Sequence, residues 1–159
     1  MTDPPLRGFT LIELTIVLVL AALTLGFAGL TFGDYFRTSS ARRAGMIFAR
    51  DLSLARSTAL RSRETVVVRF DESDRWYQVA MQSSGREIVR RRFGANADVA
   101  LSGIDLLTSG DSLAVGPRGI VDLSGIVGSG SLGEARFASG ATAYSVFFNS
   151  MGASKVEER

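Results

Sequence analysis

A single carboxylate, Glu13, stands at the head of an apolar run that begins directly after Arg7 and Gly8. Charge inside a membrane-spanning segment costs roughly 2.5–3.5 kcal/mol at the bilayer centre on insertion scales, so a retained carboxylate there indicates a function. Such a carboxylate can pair with a cation, either an amine of its own chain or one of a neighbouring molecule. Alternatively, Glu13 can extend toward the lipid headgroups near the end of a helix.

Other reactive side chains are few. The chain has no Cys and no His, which excludes disulfides, thiolate nucleophiles, Ser-His-Asp triads and His-containing zinc sites. Asp71, Glu72 and Asp74 cluster in a predicted turn, where exposure to solvent explains them more simply than acid/base catalysis. The stretch GSGSLG lacks the Lys-Ser/Thr that completes a phosphate-binding loop. We therefore predict no catalytic residue, no metal, no cofactor and no enzymatic activity.

Arginine dominates the basic residues. The chain holds 18 Lys and Arg against 16 Asp and Glu, and Arg86, Arg90, Arg91 and Arg92 gather around one predicted strand. Clustered arginines can bind phosphates. In a strand, however, Arg90 and Arg92 lie on one face and Arg91 on the other, so a continuous basic patch does not follow. A solvated face is the simpler interpretation, and contact with nucleic acid is the disfavoured alternative.

The segment that must position Glu13 is apolar. No charged residue occurs from Leu14 to Phe32, which is about the 20 residues that a transmembrane helix requires. A secretory signal peptide, a plain membrane anchor, a buried core helix and the leader of a filament subunit are the four interpretations. The polar start MTDPPLRG is scarcely basic and the apolar run is long for a signal peptide. The run also lacks the polar periodicity of a core helix.

In the remainder of the chain, the spacing of apolar residues changes first to that of a helix and then to that of strands. Apolar residues recur at helical spacing and predict an amphipathic helix that continues to about Arg63; they are Ala41, Ala44, Phe48, Leu52, Ala55 and Ala59. Strands are then predicted at 65–70, 75–81, 87–93, 99–101, 112–116, 119–123, 134–138 and 143–149. The Gly- and Ser-rich stretch 125–133 is predicted to be a loop.

The stretch GFTLIE, from Gly8 to Glu13, resembles the leader junction of type IV pilins and type II secretion pseudopilins. The resemblance implies cleavage between Gly8 and Phe9 by prepilin peptidase, N-methylation of Phe9, and a role for Glu13 and Phe9 in subunit assembly. In the filament, Glu13 would meet the Phe9 amine of a neighbouring subunit. Arg7 on the cytoplasmic flank agrees with the positive-inside rule.

Later segments resemble the GspH/FimT-type pseudopilin family. They are ARDLSLARSTALRSRETVVV, LAVGPRGIVD and AYSVFFNSMGASKVE, with turns at Pro117–Gly119 and Ser150–Gly152. DNA-binding members of this family tend to carry arginines just after the C-terminal Gly, whereas Gly152 is followed by Ala, Ser and Lys. The resemblance therefore favours a minor pseudopilin of the type II secretion system, at or near the pseudopilus tip, over a minor type IV pilin in pilus assembly or DNA uptake. An anchored periplasmic enzyme is a third and weaker hypothesis.

Together these observations predict an α+β fold, in which a long N-terminal helix packs on a C-terminal antiparallel β-rich domain. The expected parts are a leader (1–8), a transmembrane and assembly half of the helix (9–33), an amphipathic half (34–64) and a periplasmic domain (65–159). The resemblance implies a single-pass inner-membrane protein with a cytoplasmic N-terminus. Its partners would be prepilin peptidase, the inner membrane and other pseudopilins in a hetero-oligomeric periplasmic filament.

Overall fold

The computed structural model describes residues 10–94, 97, 99–107, 110–125 and 132–159, and within the helix it describes the side chains outside 27–38. The fold is α+β, as predicted, with one helix followed by strands. It consists of α1 (Leu11–Ser62), β1 (Val66–Asp71), β2 (Trp76–Met81), β3 (Glu87–Arg92), β4 (Gly103–Leu106), β5 (Ser112–Val115), β6 (Leu132–Ser139), β7 (Thr142–Asn149) and β8 (Ser154–Glu158). Contacts between Cα atoms divide the chain into two compact units, Met1–Phe36 and Arg37–Arg159.

Helix α1 ends where the sequence predicts. Arg63 follows it with a left-handed φ of 55°, the conformation that commonly terminates a helix. The predicted apolar stripe from Ala41 to Ala59 is confirmed, since all six of its side chains are fully buried. Gly45 allows a close approach on the same helix, because a Cβ there would lie 3.1 Å from Cγ1 of Val156.

The strands form two antiparallel sheets. The first has the order β3-β2-β1-β5 and the second has the order β4-β6-β7-β8. Each sheet is built on three strands consecutive in the chain, β1–β2–β3 and β6–β7–β8, that are paired with their neighbours. The intervening β4 and β5 add to the two different sheets, β4 beside β6 and β5 beside β1.

Phe48 lies at the centre of the core. Its ring contacts Phe70 and Tyr77 of the first sheet, with centroids 5.4 and 5.5 Å apart. It also contacts Phe137 and Phe148 of the second sheet, at 5.6 and 6.1 Å. One aromatic side chain of α1 therefore packs against both sheets, and this contact positions the strands around the helix.

Two strand predictions and the end of one predicted loop were wrong. Residues 99–101 are not a strand, and β4 begins after them at Gly103. The predicted strand 119–123 is reduced to an isolated bridge between Val115 and Val121, because a tight turn precedes it. The predicted loop 125–133 is shorter at its end, since β6 already begins at Leu132; its residues 126–131 lie outside the described part of the chain.

Candidate assembly sites

Thr10 and Glu13 form a reciprocal cap at the start of α1. The backbone N–H of Glu13 donates to Oγ1 of Thr10 at 3.3 Å, and the backbone N–H of Thr10 donates to Oε2 of Glu13 at 3.5 Å. This arrangement is a capping box, which satisfies two backbone donors that a helix start leaves unpaired. The Thr-x-x-Glu spacing was its visible sequence signal, and our sequence analysis missed it. Gly8 and Phe9 lie outside the described residues.

Apolar side chains cover the first turns of α1 on every side. All of the following are more than half exposed: Leu11, Ile12, Leu14, Ile16, Val17, Leu18, Val19, Leu20, Leu23 and Leu25. Contiguous exposed apolar surface of this extent marks an interaction site with lipid or protein. Among the residues described here, no helix is long and apolar enough to cross a membrane. The predicted segment 9–33 includes residues 27–33, whose side chains are outside the description.

The arginines around β3 divide between two environments. Arg91 donates from Nε to Oδ2 of Asp51 at 2.8 Å and from Nη2 to Oδ1 at 3.2 Å. Arg90 and Arg92 are exposed, and Cζ of Arg90 lies 4.2 Å from the centroid of the Trp76 ring, at cation–π distance. Arg86 is exposed just before β3. The predicted split of the strand arginines is thus confirmed, and Arg91 is already paired within the protein.

Asp51 joins α1 to the first sheet. Its carboxylate is 2% exposed and accepts hydrogen bonds from Arg91 of β3 and, at 2.8 Å, from the hydroxyl of Tyr77 in β2. The hydrogen bond from Arg91 to Asp51 raises the pKa of that guanidinium, while burial and the nearby carboxylate raise the pKa of the Tyr77 hydroxyl. Sequence analysis missed Asp51, although a carboxylate three residues after Phe48 on the apolar stripe was a usable signal.

The two turns that resemble the GspH/FimT pattern meet beside the end of α1. Gly119 and Gly152 both have left-handed backbones, with φ of 71° and 74°. The N–H of Val121 donates to the carbonyl of Ser150 at 2.8 Å and ties the turns together. A Cβ at Gly119 would lie 3.0 Å from Cγ of Leu60, and one at Gly152 would lie 3.3 Å from Cδ of Arg56. Both positions therefore favour glycine, through conformation and close packing alike.

The acidic turn after β1 behaves as a local structural feature. Oδ1 of Asp71 accepts bonds from Oγ of Ser73 at 2.6 Å and from the N–H of Asp74 at 2.9 Å. These bonds lower the pKa of Asp71. A hydrogen bond to Asp105 raises the pKa of Glu72. Within the described ranges, no group of three or more His, Cys, Asp or Glu side chains could hold a metal ion.

Comparison with solved structures shows the fold. The type IV minor pilin FimU of Pseudomonas aeruginosa matches with a TM-score of 0.56 and 15% identity, over 79% of this chain and 92% of FimU. A second crystal form of FimU matches with a TM-score of 0.53 and 10% identity, over 72% of this chain and 90% of FimU. The minor pseudopilin EpsH of the type 2 secretion system of Vibrio cholerae matches with a TM-score of 0.49 and 14% identity, over 75% of this chain and 97% of EpsH. No curated protein matches the sequence.

Comparison with protein families identifies the chain more specifically than its fold does. Residues 44–152 match the family described as "Type II transport protein GspH". The matched region includes the buried half of α1, both sheets as far as β7, and the two glycine turns at Gly119 and Gly152. Because the match extends over more than half of the sequence and over most of the packed core, the chain belongs to the GspH family of pilin-like proteins.

Proposed function

We propose that this protein is a minor pseudopilin of the type II secretion system. It would be a structural, non-enzymatic subunit at or near the tip of a periplasmic pseudopilus that aids protein export across the outer membrane. The single observation that carries the proposal is the GspH family match over residues 44–152. The leader-like stretch from Gly8 to Glu13 lies outside that match and supports the proposal independently.

The proposed processing removes residues 1–8 and leaves Phe9 as a methylated N-terminus. Glu13 is suited to recognise that terminus, because its carboxylate is exposed and already directed to the N–H of Thr10, the residue next to Phe9. A new amine at Phe9 would be costly in lipid on its own and favourable when paired with a carboxylate. Pairing between subunits would then favour one axial register in the filament over the others.

The apolar first half of α1 gives the proposed subunit its place in the membrane. Residues 9–33 would hold the unassembled protein in the inner membrane, with residues 1–8 on the cytoplasmic side and the Arg37–Arg159 unit in the periplasm. On assembly, the exposed side chains from Leu11 to Leu25 would exchange lipid for the helices of other pseudopilins. Because lipid tails and Leu side chains are equally apolar, this exchange would change the hydrophobic free energy little.

Two measurements test this proposal in a strain that lacks the gene. The intact mass of the membrane-extracted protein should show loss of Met1–Gly8 and the addition of one methyl group. Glu13→Leu should insert and be cleaved normally yet fail to restore secretion, while Ile12→Leu, a neutral change beside it, should restore secretion fully. Normal secretion by Glu13→Leu would refute the proposed pairing. An N-terminus near Ala28, within the small-residue stretch GFAG that resembles a signal-peptidase site, would indicate a secretory signal peptide instead.

A minor type IV pilin, in pilus assembly or DNA uptake, is the second candidate. The exposed arginines Arg90 and Arg92 are the observation in its favour. If they bind DNA, replacement of both by Ala should reduce the salt dependence of binding by about 1–2 units of log–log slope. Arg91 is occupied by Asp51 and should contribute little to such binding. Firm binding to duplex DNA at about 150 mM salt would favour this candidate over the secretion pseudopilin.

A further inference from the structure

The outer edge of β8 is the surface from which we draw a further inference. β8 is the last strand of the second sheet and pairs with β7 on one side. In the described part of the chain, no strand pairs with its other side. An open edge of this kind presents backbone N–H and C=O groups that can pair with another strand.

The hydrogen bonds to β7 identify which backbone groups are free. The N–H of Asn149 donates to the carbonyl of Ala153, and the N–H of Arg159 donates to the carbonyl of Ala143. Because hydrogen-bonded pairs alternate along an antiparallel ladder, the odd-numbered residues of β8 face β7. The backbone groups of Ser154, Val156 and Glu158 therefore point away from the sheet.

The side chains of β8 separate by face. Val156 is directed toward α1, where its Cγ1 would lie 3.1 Å from a Cβ at Gly45. Lys155 and Glu157 are on the opposite face, with 77% and 45% of their side chains exposed, and they form an ion pair with each other within the chain. This face of the edge strand thus presents one positive and one negative charge, two residues apart.

We propose that β8 pairs with β8 of a second copy of this protein, antiparallel and centred on Val156. Three registers around a twofold axis pair at least two of the free residues of each strand with those of the other. Centring on residue 155 places Lys155 opposite Lys155, and centring on residue 157 places Glu157 opposite Glu157. Centring on Val156 places each Lys155 opposite the Glu157 of the other copy. Since like charges directly opposite each other destabilise a strand pair and opposite charges stabilise it, the charges select the third register.

The same geometry satisfies the backbone. In the register centred on Val156, Val156 pairs with its counterpart, and Ser154 pairs with Glu158 of the second copy. All of these residues have the outward-facing N–H and C=O groups that a hydrogen-bonded pair requires. The interface is isologous, so it closes at two copies and leaves no free edge on either β8. This inference is independent of the proposed function, because it concerns only contacts of the Arg37–Arg159 unit.

Charge reversal tests the pairing in the full-length, detergent-extracted protein, with mass measured by sedimentation velocity. The wild type should form dimers. Lys155→Glu and Glu157→Lys should each weaken the dimer by about tenfold or more, since each places like charges opposite each other in both pairs. An equimolar mixture of the two variants should dimerise again, because both cross-strand pairs are then of opposite sign. The double variant Lys155→Glu/Glu157→Lys should also dimerise.

The controls separate this contact from other associations. Glu87→Lys makes the same change of charge on the edge strand of the first sheet and should leave the dimer intact. Circular dichroism should show that all variants are folded. A monomeric wild type would overturn the proposal, and so would single variants that dimerise as well as the wild type, as expected if the apolar half of α1 caused the association. Failure of the mixture to dimerise would overturn it as well.

Discussion

The Asp51–Arg91–Tyr77 network should show an asymmetric response to loss of either charge. Asp51 is 2% exposed, whereas the Arg91 side chain is 41% exposed. Arg91→Met keeps much of the aliphatic stem but leaves the buried carboxylate without its cation, which typically costs about 3–5 kcal/mol. Asp51→Asn leaves the guanidinium free to turn into solvent and keeps an oxygen that can accept the Tyr77 bond. Its cost should be about 1–2 kcal/mol.

Urea denaturation of the fragment 37–159 would measure both values. We expect this fragment to fold, because all of the buried residues from Ala41 onward lie within it. Arg90→Met is the matched control. It removes the neighbouring charge of the same strand, whose contact with Trp76 is exposed and worth no more than about 0.5–1 kcal/mol.

The double variant Asp51→Asn/Arg91→Met decides whether the reasoning is right. With the carboxylate gone, the Arg91→Met change no longer leaves a buried charge unpaired, so the double variant should be destabilised by clearly less than the sum of the two single variants. Additive costs would mean that the two side chains do not act as a pair. Equal costs for Arg91→Met and Asp51→Asn would mean that burial of the carboxylate is not what makes the network sensitive.

Three further predictions concern the same unit and are measured by the same denaturation. Phe48→Ala should cost about 3–5 kcal/mol, because it removes the ring that contacts both sheets, whereas Phe48→Leu should cost less. Gly152→Ala should cost about 1–2 kcal/mol through its left-handed backbone, and an unchanged urea midpoint would contradict this. The bond to Asp105 raises the pKa of Glu72. The contribution of Glu72 to the free energy of unfolding should therefore be complete below its unfolded pKa, about 4.3, and should decline as pH rises through its folded pKa. Glu72→Gln should abolish that decline.

The sequence predicted the fold where a single period extended over many residues. The stripe from Ala41 to Ala59 identified the buried face of α1 residue by residue. Alternation identified β2, and runs of β-branched and aromatic residues identified β1 and β7, all to within about two residues. Prediction failed where short-range turn geometry decided the outcome. The turn at Gly116–Ile120 reduced the expected strand 119–123 to one bridge, and β4 escaped notice because four residues with a Gly and an Asp carry little strand signal.

Prediction of the candidate sites was limited by what a local pattern contains. The split of Arg90 and Arg92 from Arg91 follows from strand geometry alone and was predicted. The partner of Arg91 was not, because Asp51 is 40 residues away in the chain and only the docking of α1 on the first sheet brings them together. The register around Val156 likewise depends on which β8 backbone groups β7 already uses, and no sequence pattern shows that.

Glu13 has a role within its own subunit that the resemblance to pilin leaders does not include. Its capping bond to Thr10 fixes the carboxylate at the start of α1, close to where the proposed new terminus at Phe9 would form. The proposed pairing with an amine therefore does not require Glu13 to find its place during assembly; it requires exchange of one exposed backbone donor for a charged one. A protonated amine adds an attraction between opposite charges that the neutral backbone N–H lacks. The cap thus orients Glu13 in the free subunit and leaves it available to a stronger partner. Under the proposed function, the same carboxylate would serve the helix before assembly and the pair between subunits after it.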